Sequence, residues 1–490
     1  MPSVLIVGAG VAGLSSALHL RRAGYEVDVF DEQDYEKTFY SPINADCDAA
    51  SADVNKIVRA SYGFYANGTA YQKLALEAMD IWDEWGKMLK DSAPGDFGPL
   101  SADDELFVRA GMLRMQASSN LPPGELATLK NATDLGFRST HYILGDEADE
   151  QRAKKAGIEK RMRPFPPGVA EHGVLDMSSG FVYADKACTF ALYLAKKLGV
   201  RFHLGPSHKF KSLLSTSTST SSSKIHGIRT VSGAENRADY TILACGAWTP
   251  SLLPEDLNGL LEATGGSVTI IEVPEGPLRE KYSPKNFPVW TALELGGSTR
   301  TEAMAMSEIG GLYAFPILEG GLMKFGFRGV KFTHFDSSSP VSTPVTVRTP
   351  VPETRIPVQA FKAVQVFIKR YMPDLAKAGY KVWGTRLCWY NDTVDNDFLI
   401  DHVPGKEGLM VCGGGSGHMF KFLPNVGQHT LAALEKRKTP YSHIFAWRDA
   451  VKPGEAPRNG LGEGPDGPRE LSKQQLTTRI EKREVHMARL

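Results

Sequence analysis

The chain is predicted to be α/β: a Rossmann-like dinucleotide-binding domain interleaved with an α+β substrate domain on a mixed or antiparallel sheet. Three observations predict this. The chain opens with a strand, a glycine-rich turn, a helix and a second strand. Apolar strand patterns ending in glycine recur near residues 240 and 409. Between these pieces lie two long stretches with alternating apolar residues.

The first strand is Val4–Val7, an all-apolar run that suits a buried parallel strand. Gly8-Ala9-Gly10-Val11-Ala12-Gly13 follows. A helix then runs to about Ala23, with Leu14, Ala17 and Leu18 on one face and Gly24 at its C′ position. The second strand, Val27–Phe30, ends at Asp31, 18 residues after Gly13. A GxGxxG pattern alone is weak, but between a strand and a helix, with an acid at the next strand end, it predicts a dinucleotide site. Gly8 permits the tight turn, Gly10 lets a pyrophosphate approach the backbone, and Gly13 lets helix and strand pack closely. The N–H groups at Val11 and Ala12 open the helix and would face the phosphates. Asp31 would accept from ribose hydroxyls. The motif alone does not separate FAD from NAD.

Further along, Gly199–His203 reads as a helix end and a strand, and Tyr240–Gly246 as a buried strand turning at Gly246-Ala-Trp248. Ser267–Glu272 and Leu322–Phe327 alternate as strands do. The predicted division is 1–94, 179–261 and 386–448 for the dinucleotide domain, 95–178 and 262–385 for the substrate domain, and 449–490 for a linker and tail. Leu214–Ser223 (LSTSTSTSSS) is expected to be a disordered surface loop. Ser337–Pro357 is expected to be extended ahead of a helix near 359–371, residues 452–468 a Gly/Pro linker, and Leu471–Leu490 a charged, helix-capable tail.

Composition narrows the function. Lys+Arg and Asp+Glu balance at 56 each, so no overall field draws the chain to nucleic acid or an anionic membrane. A small neutral or zwitterionic substrate fits better. The five cysteines are widely spaced with no CxxC pair, which argues against disulfides or structural zinc and for a reduced compartment. There is no signal peptide and no 18-residue apolar run, so no membrane partner is expected. The last three residues, Ala488-Arg489-Leu490, are a variant of the Ser-Lys-Leu address. They suggest a peroxisomal location through the import receptor, the cytoplasm otherwise.

The most informative window is 386–428, RLCWYNDTVDNDFLIDHVPGKEGLMVCGGGSGHMFKFLPNVGQ. A lone Cys388 precedes a Trp, two strand patterns (FLID and LMVC) follow, and a GGGSGH turn leads to a helix start carrying Lys421. With Ala52–Gly63 (ADVNKIVRASYG) and Gly320–Arg328 (GGLMKFGFR), this window resembles the sarcosine oxidase and amadoriase (fructosyl amino acid oxidase) family of FAD-dependent amine oxidases, in the D-amino-acid oxidase superfamily. The chain looks like a divergent fungal-type member. The resemblance implies FAD bonded through its 8α carbon to Cys388. It places Gly246 and Trp248 near the flavin and Gly415, Gly417, His418 and Lys421 along its border. It also implies Lys56 beside the flavin ring, Lys324 as the oxygen-activating cation, and Arg59 with Lys421 as clamp for a substrate carboxylate. Tyr390 matches the sarcosine oxidase side of the family, whereas the Lys56 segment matches amadoriases. Arg328 stands where sarcosine oxidases carry His, on the substrate wall.

The implied reaction oxidises the secondary amine of an N-substituted (N-methyl or N-fructosyl) α-amino acid by hydride transfer to flavin. An imine forms, and oxygen becomes hydrogen peroxide. Alternatives are a pipecolate or saccharopine oxidase, a specialised-metabolism enzyme whose imine cyclises onto an aromatic ring, or a non-catalytic flavin-binding protein. No metal is implied.

Overall fold

The computed structural model describes residues 1–42, 47–116, 119–217, 222–292, 309–336, 339–450 and 461–478. Ala488-Arg489-Leu490 therefore lies outside the described residues.

A six-stranded sheet has the order Leu399–His402, Leu409–Gly413, Tyr240–Leu243, Ser3–Val7, Glu26–Asp31, Arg201–Leu204. All neighbours are parallel except the first pair. Val4–Val7 is buried at the middle of this sheet, as its unbroken apolar run requires. Helix Val11–Arg22 packs on one face between the helices Gly427–Leu434 and Ala184–Lys197. The strands come from four distant parts of the chain, yet Val7, Asp31, Leu243 and Gly413 all end on the same edge. Ligands bind at that carboxyl edge in open α/β sheets.

A second sheet has eight strands, in the order Lys381–Thr393, Leu261–Glu272, Leu322–Phe332, Leu312–Ala314, Val289–Ala292, Met112–Gln116, His172–Asp176 and His141–Ile143. It is antiparallel except where Val289–Ala292 runs parallel to Met112–Gln116. One face packs Met323, Phe325, Phe327, Leu387 and Trp389 into a core with helix Val358–Tyr371. Strand periodicity then puts Lys324, Arg328, Arg386, Cys388 and Tyr390 on the other face. The boundary expected at residue 386 falls inside a strand, because Lys381–Thr393 pair along their length with Leu261–Glu272.

Three expectations are corrected. Phe210–Ser217 and Ser223–Thr230 are antiparallel strands, with Ser217 opposite Ser223, so the Ser/Thr tract is paired strand up to Ser217 and again from Ser223, residues 218–221 lying outside the described ones. Thr is a good strand former and its neighbours supply the pairing. Residues 461–478 are not linker or helix. They lie against the eight-stranded sheet as extended stretches broken by turns at 465–469 and Leu471–Lys473, with Leu461 and Leu471 buried. Lys421 sits in a single 3-10 turn, Phe420–Phe422, and the α-helix begins only at Gly427. No described helix is long and apolar enough to cross a membrane.

Candidate active site

A cavity of about 1400 Å³ runs from the carboxyl edge of the parallel sheet to the polar face of the antiparallel one. That exceeds the usual few hundred to 1,000 Å³ of a small-ligand site and leaves room for a dinucleotide beside a substrate.

Gly8, Gly10, Val11, Ala12 and Asp31 line one end. Gly8 has φ +104°, and a Cβ there would lie 2.4 Å from the Ala244 carbonyl oxygen. A Cβ on Gly13 would lie 1.8 Å from the Gly8 oxygen, so Gly13 packs directly behind the turn. The helix start at Gly10 has no side-chain cap; Ser51 Oγ accepts from Val11 N–H at 3.0 Å. Asp31 accepts from the backbone N–H of Ala9 (2.8 Å) and Gln33 (2.9 Å). Burial pushes its carboxyl up to about 6. A helix start whose own first residue offers no cap, a backbone cradle only glycine allows and a carboxylate at the next strand end fit a dinucleotide. Gly246 and Trp248 continue the lining, and Asn391 Nδ2 donates to the Gly246 oxygen at 2.6 Å.

In the middle stands a buried charge cluster. Asp53 Oδ2 accepts from Lys56 Nζ and from Lys324 Nζ, each at 2.6 Å. Lys324 also donates to the Asn55 oxygen at 2.7 Å. Burial and the Lys56 charge bring Lys324 down to about 8, against the pull of Asp53. The Asp53 carboxyl is held far below its ordinary range: burial opposes this, and the Lys324 and Lys56 charges overcome it. Lys56 Nζ lies 3.6 Å from Cys388 Sγ. Burial alone would raise the Cys388 thiol, but Lys56 and Arg386 bring it below the ordinary value. Cys388 is fully buried behind the cavity wall, whereas Lys56, Lys324 and Tyr390 line it. Cys412 is different. It packs against Ser16 and Thr430, and burial raises its thiol.

At the far end, Arg59, Arg328 and Lys421 converge. Lys421 Nζ donates to the Tyr62 hydroxyl (3.0 Å) and the His418 oxygen (2.6 Å). Arg59 bonds the Ser61 oxygen and lies over the Tyr62 ring, 4.5 Å from its centre. The Arg328 guanidinium lies over the Tyr390 ring at 4.4 Å, and its Nε is buried without a partner. The nearest carboxylate to Arg328 is Asp392, 3.9 Å away and already paired with Lys331 at 2.8 Å. Gly415, Gly417 and His418 line this end. A Cβ on Gly417 would strike the Arg328 guanidinium at 2.1 Å. His418 is buried, and its two ring nitrogens face the Tyr62 hydroxyl and the Asn396 oxygen.

Sequence reasoning did not single out Asp53, Tyr62, Tyr313 or Arg386. The signal for Asp53 was present: two lysines inside a buried cluster need an anion, and Asp53 stands three residues before Lys56. Among the described residues no His/Cys/Asp/Glu group could hold a metal ion.

The comparisons agree on one family. A model described as "FAD dependent oxidoreductase" (DAO) matches residues 3–433. L-saccharopine oxidase of Schizosaccharomyces pombe is 27% identical over 470 residues, spanning 92% of this chain and 94% of that protein. N-methyl-L-tryptophan oxidase of Escherichia coli (strain SE11) is 24% identical over 452 residues, spanning 89% and 96%. Among solved structures, fructosyl peptide oxidase from E. terrenum superposes with a TM-score of 0.72 at 25% identity, covering 97% of both chains.

Proposed function

Since the chain belongs to the DAO family of FAD-dependent oxidoreductases, as an amine oxidase of the sarcosine oxidase and amadoriase group acting on CH–NH bonds with oxygen, we propose that its substrate is an N-substituted α-amino acid oxidised at the secondary amine. The observation that carries this is the division of one cavity between two sets of basic side chains. Lys56 and Lys324 share one carboxylate, Asp53. Among the described residues, Arg59 and Lys421 have no carboxylate of their own, so that end is short of negative charge. A substrate carboxylate supplies it, and Arg59 can hold such a group with two parallel hydrogen bonds. The relatives' names point the same way: saccharopine, N-methyl-tryptophan and fructosyl peptides.

When bound, FAD supplies the two-electron acceptor for the amine and hands the electrons on to oxygen, giving hydrogen peroxide. The chain's residues do the rest. Gly8, Gly10, Val11 and Ala12 receive the phosphates and Asp31 the ribose. Arg59 and Lys421 fix the substrate by its carboxylate, with Arg328 and Tyr390 forming the wall beside it. Lys324 places a positive charge where negative charge grows as oxygen is reduced. Cys388 is the residue we assign to the covalent flavin bond, since its depressed thiol favours the reactive thiolate.

The test is peroxide release from the purified protein against N-methyl-L-tryptophan, sarcosine, L-saccharopine, pipecolate and fructosyl-valine. Turnover of any N-substituted amino acid supports the reading, and activity confined to simple primary amines would sink it. Acid precipitation tests the bond: flavin absorbance stays with the wild-type pellet and passes to the supernatant in Cys388→Ser.

A further inference from the structure

We propose that Lys421 meets the substrate as a neutral amine and takes up the proton that the substrate's ammonium group must lose before oxidation. This rests on the N-substituted amino acid reading above.

The geometry is that of a site built for an amine rather than an ammonium. The Lys421 side chain is 3% exposed. Its two partners, the Tyr62 hydroxyl and the His418 carbonyl oxygen, are neutral acceptors. Among the described residues, no carboxylate lies within ion-pair distance of Nζ. The charged groups that face it are Arg59, just after strand Lys56–Val58, and Arg328, on strand Leu322–Phe332. The titratable neighbours are Tyr62 and His418. Burial keeps the first protonated and the second uncharged.

The hydrogen-bond chain fixes the direction of each donor. His418 Nε2 is 2.9 Å from the Asn396 carbonyl oxygen, which can only accept, so that nitrogen carries the hydrogen. Nδ1 therefore accepts from the Tyr62 hydroxyl at 3.2 Å. The Tyr62 hydroxyl donates its one hydrogen to His418 and so can only accept from Lys421. A buried ammonium here would have two cationic neighbours and no counterion, which interiors do not tolerate. Burial first, then Arg59 and Arg328, push the Lys421 ammonium far below its ordinary range.

The substrate brings both things the site lacks, a carboxylate and a proton. An amino acid arrives mainly as ammonium and carboxylate. The C–H bond beside nitrogen can leave with its electron pair only when the nitrogen lone pair is free. Amine and carboxylate hang on one carbon, so a group holding the carboxylate is within reach of the amine. The transfer breaks one N–H bond of the substrate and makes one on Lys421 Nζ. No proton is exchanged with solvent in this step. The new ammonium has the substrate carboxylate as counterion, and product release removes that counterion and returns the proton to water.

The experiment is the pH dependence of the second-order rate constant for anaerobic flavin reduction. It uses the holoenzyme and whichever of N-methyl-L-tryptophan, L-saccharopine or fructosyl-valine reduces the flavin. If Lys421 accepts the proton, this constant is flat over the pH range where the substrate is an ammonium and Lys421 an amine. Lys421→Arg keeps a cation but cannot take a proton, so its constant should climb about tenfold per pH unit across the same range. A climb of that size in the wild type would overturn the proposal, as would a flat profile in Lys421→Arg. If the variant does not fold, the wild-type slope decides alone. If none of the three reduces the flavin, the substrate reading falls, and the proposal with it.

Discussion

Asp53 shows what a single carboxylate does for two lysines. It contacts both Lys56 and Lys324 at 2.6 Å and supplies the main pull that keeps Lys324 charged against burial. The sign follows. Oxygen reduction needs the Lys324 cation, so flavin reoxidation should slow as pH rises through about 8. Asp53→Asn removes the raising charge and should move that fall to lower pH, with a loss of about tenfold or more near neutrality. Stopped-flow reoxidation at several pH values reads this directly; an unmoved profile would count against the link. Lys324→Met should slow reoxidation by on the order of 10²- to 10³-fold while leaving anaerobic reduction far less affected. Equal slowing of both would remove Lys324 from the oxygen step. At this scale the sequence was informative about residue types in tight motifs. It carried only half the signal for Asp53: Lys56 stands three residues on, but the second partner, Lys324, is 271 positions away.

Among the elements, two strands of the antiparallel sheet decide the shape of the pocket floor by lacking side chains at one point each. A Cβ on Gly326 would lie 2.1 Å from the Tyr313 ring, and one on Gly266 would lie 2.5 Å from the Tyr390 ring. Both rings lie down in these gaps, with the Arg328 guanidinium over Tyr390. Gly326→Ala should therefore lift Tyr313, cost about 1–3 kcal/mol in denaturant unfolding, and raise KM more than it lowers kcat. Unchanged stability and KM would show that the ring has room elsewhere. The strands were legible from period-2 alternation, Leu322–Phe327 most clearly. Their neighbours were not, because pairing such as Cys388 opposite Gly266 is non-local. The same reason explains the Ser/Thr tract. Composition marks it as loop, but Ser223–Thr230 offers a partner, and pairing outweighs the compositional cue.

On the scale of the whole molecule, the last described segment completes the cavity wall rather than trailing from it. Arg469 donates to Glu262, to Glu463 and to the Lys331 oxygen, each at 2.9 Å. Glu470 accepts from the Phe335 N–H at 3.1 Å, and Leu461 and Leu471 are buried. Glu463, Pro468, Arg469 and Gln474 line the cavity together with Lys331, whose ammonium pairs with Asp392 near Arg328. The sequence could not announce this. Gly and Pro punctuate the segment as they would a linker, and its apolar residues are few and unperiodic. Docking depends instead on single side chains finding partners some 200 residues away. Truncation after residue 460 should expose Leu471's contacts, strand the part-buried Glu262 carboxylate and loosen the wall behind Lys331. Arg469→Met alone should cost about 1–3 kcal/mol, as expected when a part-buried charged network loses one partner. The truncated protein should melt at lower temperature, and its KM should rise, because the Lys331–Asp392 pair that flanks Arg328 would then face water. The paired measurements separate two roles. A lowered Tm with unchanged KM would leave the segment as a brace for the sheet. A raised KM at temperatures well below melting would make it part of the substrate wall, and unchanged values of both would return it to the status of a tail.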